Sequence, residues 1–176
     1  MPMPEPLKGL VYEDDVLAPK DKIAIEYYGP NPFAVYPGLK GLIQVIFHAR
    51  GQHIFETQFR WDITADPRPF FISMHLNLSL DRFTRLIVPM KIFGTQPSDP
   101  TKNGKLLVEI QGRITTTYPI STIWQRIFVE PFVWVYHHSI YNDVRRRYIQ
   151  IGKEGIEKLG MEIRSTLNIM KRERLT

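Results

Sequence analysis

The sequence predicts an α+β domain, an antiparallel β-sheet of about five strands wrapped on a long C-terminal helix. Three observations carry that prediction. Between residues 53 and 118, apolar and polar residues alternate with period two in four runs separated by turns. After Pro119 the period becomes that of a helix and holds almost to the end of the chain. The 176 residues are 43% hydrophobic and 23% charged, which suits one buried core in a chain of single-domain length.

The first strand is expected over 22–28, with Ile23, Ile25 and Tyr27 alternating against Ala24 and Glu26. Gly29-Pro30-Asn31-Pro32 ends it, with Asn31 as the N-cap and Pro32 in the first helical position. Pro37-Gly38 then predicts a break between a short helical turn and a second helix. In that helix Leu39, Leu42, Ile43 and Ile46 form one apolar stripe, and Arg50-Gly51 closes it.

Four strands are expected next. Over 53–61, Phe55, Phe59 and Trp61 share a face with Thr57. Over 70–80, Phe70, Ile72, Met74, Leu76, Leu78 and Leu80 oppose Ser73, His75, Asn77 and Ser79. Over 84–93, Leu86, Val88, Met90 and Ile92 point inward, with Arg85 and Lys91 outward. After the turn-rich loop 94–104, residues 105–118 read as one strand with Leu106, Val108, Ile110 and Ile114 inward. Sequential strands joined by short turns imply a meander with one dry and one wet face.

Ser121 or Thr122 caps the final helical region, which Pro131 should kink. Its first part, Ile123 to Tyr136, is apolar nearly all round and predicts a buried helix, with Trp124, Phe128 and Phe132 against the sheet. Its last part carries Ile156, Leu159, Ile163, Leu167 and Met170 as a stripe, weakened at Gly152, Gly155 and Gly160 by about 1 kcal/mol each.

Charge divides the chain into three. Residues 1–21 hold two bases and five acids and read as an extended N-terminal arm. Residues 22–150 form the single α+β domain. Residues 151–176 read as a basic helical extension, and 144–176 hold nine bases against four acids. The total is +5, which leans toward anionic partners.

Several classes of function are excluded or disfavoured. Without cysteine there is no disulfide scaffold, thiolate nucleophile or Cys-ligated metal site. No glycine-rich phosphate loop is present, and the adjacent His137 and His138 point about 100° apart on a helix, so no metal site or cofactor is expected. Asp62 and Asp66 are paired carboxylates that suit turn capping better than acid–base catalysis, and no enzymatic activity is expected. The apolar window 120–136 carries Gln125, Arg126, Glu130 and Pro131, so a membrane is a disfavoured partner. The first ten residues lack the pattern of a signal peptide, and a cytoplasmic location is expected.

Strand, two short helices, antiparallel meander and long C-terminal helix form an element order, over roughly residues 22–150, that resembles the helix-grip superfamily. That group includes START-type lipid-transfer domains and birch-pollen-allergen-like proteins. The resemblance implies a curved sheet around the long helix, with a cavity between them for an apolar small molecule. Two features depart from the family pattern, the lack of an obvious glycine-rich loop and the length of the C-terminal helix.

Two functional readings follow, with a third ranked last. The first is a non-catalytic binding module whose apolar cavity is lined by Phe55, Phe59, Trp61, Met74, Leu76, Met90, Trp124, Phe128 and Phe132. The second is a component of a ribonucleoprotein or other anionic assembly. There Arg145, Arg146 and Arg147, with Lys171, Arg172 and Arg174, would contact phosphates of RNA. A wet sheet face could also meet nucleic acid, but its predicted residues lack the exposed aromatics such platforms display. The third reading is an interfacial membrane protein using the apolar 120–136 segment.

Overall fold

A single antiparallel sheet of seven strands curls around a long C-terminal helix. The structure, a computed structural model, describes residues 9–99, 101–119 and 123–173, and the side chains of 123–126 and 168–173 lie outside that description. The strands are β1 (Leu10–Asp15), β2 (Ile23–Pro30), β3 (Ile54–Trp61), β4 (Arg68–Ser79), β5 (Thr84–Gln96), β6 (Asn103–Ile110) and β7 (Arg113–Tyr118). The helices are α1 (Val35–Phe47), α2 (Ile123–Val135) and α3 (Asn142–Glu173), with a π-helical turn at Tyr136–Ile140 between the last two.

The sheet forks along β5. Its N-terminal end pairs with β7 (Leu86 opposite Ile114), and its C-terminal end pairs with β6 (Ile92 opposite Val108). Residues 105–118 are therefore two strands rather than the single strand expected. The break falls at Gly112, which is packed so closely that an added Cβ would sit 2.3 Å from Ile156 Cδ1. The two short strands recruit different outer neighbours, β2 on β6 and β1 on β7. Hence the N-terminal segment expected as an arm supplies a strand, with Tyr12 opposite Thr116 and Asp14 opposite Ile114. Its acids hid the alternation of Leu10, Tyr12 and Asp14.

Pro37-Gly38 does not interrupt α1. Pro37 is the third residue of the helix, where its missing N–H has no intrahelical partner to lose. The break falls earlier, at a single 3₁₀ turn over Pro32–Ala34, and His48 ends the helix in the left-handed conformation at φ 49°. Leu39 and Ile43 of the predicted stripe are fully buried.

In β3 the face assignment changes midway. The register slips between Glu56 and Gln58, so Thr57 is an extra residue and the side-chain alternation inverts there. Phe55 stands opposite His75 on the outer face, the two rings stacked at 5.2 Å. Phe59 and Trp61 stand opposite Ile72 and Phe70 on the inner face. Beside them Phe33 lies 4.2 Å from the Trp61 ring, and the Tyr36 hydroxyl donates to Glu56 at 2.5 Å. The three aromatics do not share a face as the simple alternation predicted.

Ile156, Leu159, Ile163 and Leu167 of α3 are buried against the sheet and α1. They pack with Ile72, Leu76, Leu86, Met90, Ile110 and Ile114 in one continuous core. The C-terminal stretch expected as an extension is thus the helix that the sheet wraps. α2, which was predicted to fill that place, does not: Phe128 and Phe132 are 62% and 76% exposed. The cause is competition for one site, because a stripe on a long polar helix buries its apolar face without sacrificing solvation of the other.

Candidate functional site

α2 leans on the body through the turn that follows it. His137 is buried, its ring stacked on Tyr12 at 4.0 Å and 11°, and its Nδ1 lies 3.2 Å from the Tyr118 hydroxyl. Burial first, then the charges of Arg145 and His138, hold its pKa below the usual imidazole value. Burial also pushes the Tyr118 phenol up to about 12. Four residues on, Tyr141 is buried with its hydroxyl 2.6 Å from Thr84 Oγ1 and donating to Asp81 Oδ2 at 2.5 Å. Burial of Asp81 opposes ionisation, yet hydrogen bonds from Tyr141 and the amides of Phe83 and Thr84 hold its carboxyl below the ordinary range.

Beyond these anchors much of the segment's apolar surface is exposed. Ile127, Phe128, Val129, Phe132, Trp134, Val135, Tyr136 and Ile140 are all exposed. At about 100° per residue, those on α2 sweep an arc of about 220°. No charged residue between 127 and 136 is exposed. Isolated exposed hydrophobes are ordinary, whereas a contiguous set of this size marks a contact surface. The composition of this segment was visible in the sequence. Its exposure was not, because an all-apolar helix reads equally as core.

Among the concavities of the described residues, two on the outer sheet face carry candidate binding groups. One, of about 730 Å³, is lined by Tyr28, Phe93, Leu107, Thr95, Lys105 and Glu26 among others. Phe71 and Phe93 pack there at 5.0 Å, and Tyr28 is exposed, so this face does carry aromatics, contrary to the expectation above. The signal was present in Tyr28, Phe71 and Phe93, each opposite in parity to the core residues of its strand. The other concavity, of about 450 Å³, lies at the β4–β5 turn and includes Arg82, Arg85, Thr115, Thr117 and Pro119.

The predicted cavity wall is not assembled. Met74, Leu76 and Met90 are fully buried members of the core. Trp61 is half-buried at its edge, Phe55 is on the outer face, and Phe59 is half-exposed. Phe128 and Phe132 are exposed on α2 and do not line a cavity with the sheet. The side chain of Trp124 lies outside the described residues.

The arginine run divides. Arg145 donates through Nε to Asp14 Oδ2 at 2.6 Å and through Nη2 to Oδ1, so its guanidinium is paired with β1. Arg146 and Arg147 are exposed. The side chains of Lys171 and Arg172, and all of Arg174, lie outside the described residues. Asp62 accepts from the Thr64 amide and hydroxyl, and Asp66 accepts from the Ser98 amide at 3.0 Å, both in turns. No described helix is long and apolar enough to cross a membrane.

No protein-family model and no curated protein matches this chain. Among solved structures, an uncharacterised protein from Rhizobium leguminosarum is similar over 85% of this chain and 97% of its own, at 10% identity and a TM-score of 0.20.

Proposed function

We propose that this protein is a non-catalytic module that binds lipid surfaces peripherally, inserting the apolar side chains of α2 and the following turn into the interface. The observation that carries the reading is the exposed apolar arc on α2 from Ile127 to Val135, with Tyr136 and Ile140 exposed after it. A protein groove covers one face of a helix, whereas an apolar sweep of about 220° suits a medium that closes around it. Trp134 and Tyr136 are amphipathic rings of the kind that settle at headgroup level. This differs from spanning, and it raises the reading that the sequence alone ranks last. The cytoplasmic leaflet is the face this reading takes, since it carries the anionic lipids that a net charge of +5 attracts.

Sedimentation with phosphatidylcholine vesicles tests it. The parent protein should pellet with lipid, and the F132E/W134E double variant should stay in the supernatant with an unchanged melting temperature. A parent protein that never pellets sinks the reading.

A second reading keeps nucleic acid as partner but moves it to the outer sheet face. Tyr28, Phe71 and Phe93 with Lys105 offer stacking surfaces and a cation for single-stranded RNA. Fluorescence titration with a short oligonucleotide checks it: F93A should weaken binding at least about tenfold, as loss of one stacked base does.

A further inference from the structure

We infer that the concavity at the β4–β5 turn takes the phosphate of an anionic lipid headgroup, with Arg82 and Arg85 as the anion-binding side chains. The inference rests on the peripheral-membrane reading and names the lipid chemistry that reading leaves open.

The concavity, about 450 Å³, falls within the size range of small-molecule sites. Arg82 and Arg85 line it together with Thr115 and Thr117, and no acid among the described residues does. Both arginines are exposed, and neither has a carboxylate partner among the described residues. The nearby acids are engaged elsewhere. Asp81 accepts from the amides of Phe83 and Thr84 and from Tyr141, and Glu13, across from Thr115, faces Arg113 at 3.6 Å. Arg82 lies over the Phe83 ring, 5.4 Å from its centre, which gives its stem a platform.

A second observation concerns a threonine hydroxyl that lines the same concavity. Thr115 Oγ1 is buried and makes no hydrogen bond among the described residues, an arrangement that normally costs about 1–3 kcal/mol. Rotated about χ1 into the concavity, that hydroxyl donates to a phosphate oxygen, which also accepts from guanidinium forks bidentately.

Position joins the site to the apolar segment. Pro119 forms part of the wall, and the chain enters α2 at Ile123. Thr117 donates its amide to the Phe83 carbonyl at 2.8 Å. On the other side of the strand, the Tyr118 ring lies 5.5 Å from Phe83 and 6.4 Å from Tyr136. The concavity, through Phe83, thus adjoins the Tyr118–Tyr136 contact by which the segment after α2 meets the sheet. The groups are those of an interfacial anchor paired with a headgroup site.

The test compares the parent chain, R82Q/R85Q and F132E/W134E in three arms. These are phosphatidylcholine vesicles, the same vesicles containing phosphatidylglycerol, and soluble glycerophosphoglycerol or inorganic phosphate without vesicles. The parent should prefer the anionic vesicles at least about tenfold, the scale of one lost charge-assisted contact. R82Q/R85Q should bind neutral vesicles as the parent does and lose that preference. Full preference retained in R82Q/R85Q overturns the headgroup site while leaving the membrane reading intact. A parent protein that leaves both vesicles but binds soluble phosphate through the two arginines overturns the lipid source and assigns the site to a free anion. Failure in all three arms overturns both. Competition by single-stranded RNA that is abolished in R82Q/R85Q reassigns the pocket to nucleic acid and overturns it as well.

Discussion

Arg145 grips Asp14 across 131 residues of chain, its guanidinium meeting both carboxylate oxygens. The pair ties the first turn of α3 to β1, the strand that closes one branch of the forked sheet. Both side chains are partly buried, at 27% and 14% exposure. Replacing Arg145 with Gln leaves Asp14 without its partner and is expected to lower stability by about 1–3 kcal/mol, between the exposed and buried limits for ion pairs. Arg146→Gln and Arg147→Gln should stay within about 0.5 kcal/mol. Urea denaturation of the three variants checks this, and equal losses would remove the distinction.

α3 and α2 should respond oppositely to truncation. Leu159→Ala and Ile163→Ala open space in a closed core and are expected to cost about 2–5 kcal/mol each. Phe132→Ala removes a side chain that is 76% exposed and should cost less than about 1 kcal/mol. A large loss at Phe132 would mean that α2 packs on the domain after all.

Glycines in α3 separate by what faces them. An added Cβ at Gly155 would meet the buried Phe47 ring at 2.5 Å, so Gly155→Ala is expected to destabilise by about 1–3 kcal/mol despite the better helix propensity of alanine. At Gly160 the nearest atom is 3.7 Å away, and Gly160→Ala should stabilise by about 0.5–1 kcal/mol. Thermal unfolding of both variants decides it, since propensity alone predicts stabilisation at each.

His137 gives a pH dependence of definite sign. Its folded pKa is lowered by burial and by the charges of Arg145 and His138, against a smaller opposing effect of Asp14. Below about pH 6.5, the ordinary value, the unfolded chain takes up the proton first, so stability falls as pH falls toward the folded pKa. Tyr12, Tyr118 and Tyr141 complete the ring of groups packed on the imidazole. The difference in urea midpoint between pH 7.5 and 5.5 should shrink in His137→Gln relative to the parent. An unchanged difference would show that other groups carry it.

Much of the fold was legible because it rests on local periodicity. The alternation of Ile72, Met74, Leu76 and Leu78 required a half-buried strand, and the stripe Ile156, Leu159, Ile163 and Leu167 required an amphipathic helix. The antiparallel order followed from short turns between strands. The candidate site was less legible. In the sequence Arg85 reads only as an outward strand residue, and it is the fork of β5 that brings Thr115 and Thr117 beside Arg82 and Arg85.

What the sequence determined by itself was the class of each long element and the sign of its surface, since period and charge are properties of neighbouring residues. What only the tertiary structure decided was allocation. Two C-terminal helices could each have filled the sheet, and the one with a single apolar stripe did, leaving the all-apolar one outside. One extra residue at Thr57 sent Phe55 to the opposite face from Phe59 and Trp61. One arginine of three found a carboxylate on a distant strand. Each outcome turns on which surfaces compete for the same space, a long-range contest that local spacing does not encode.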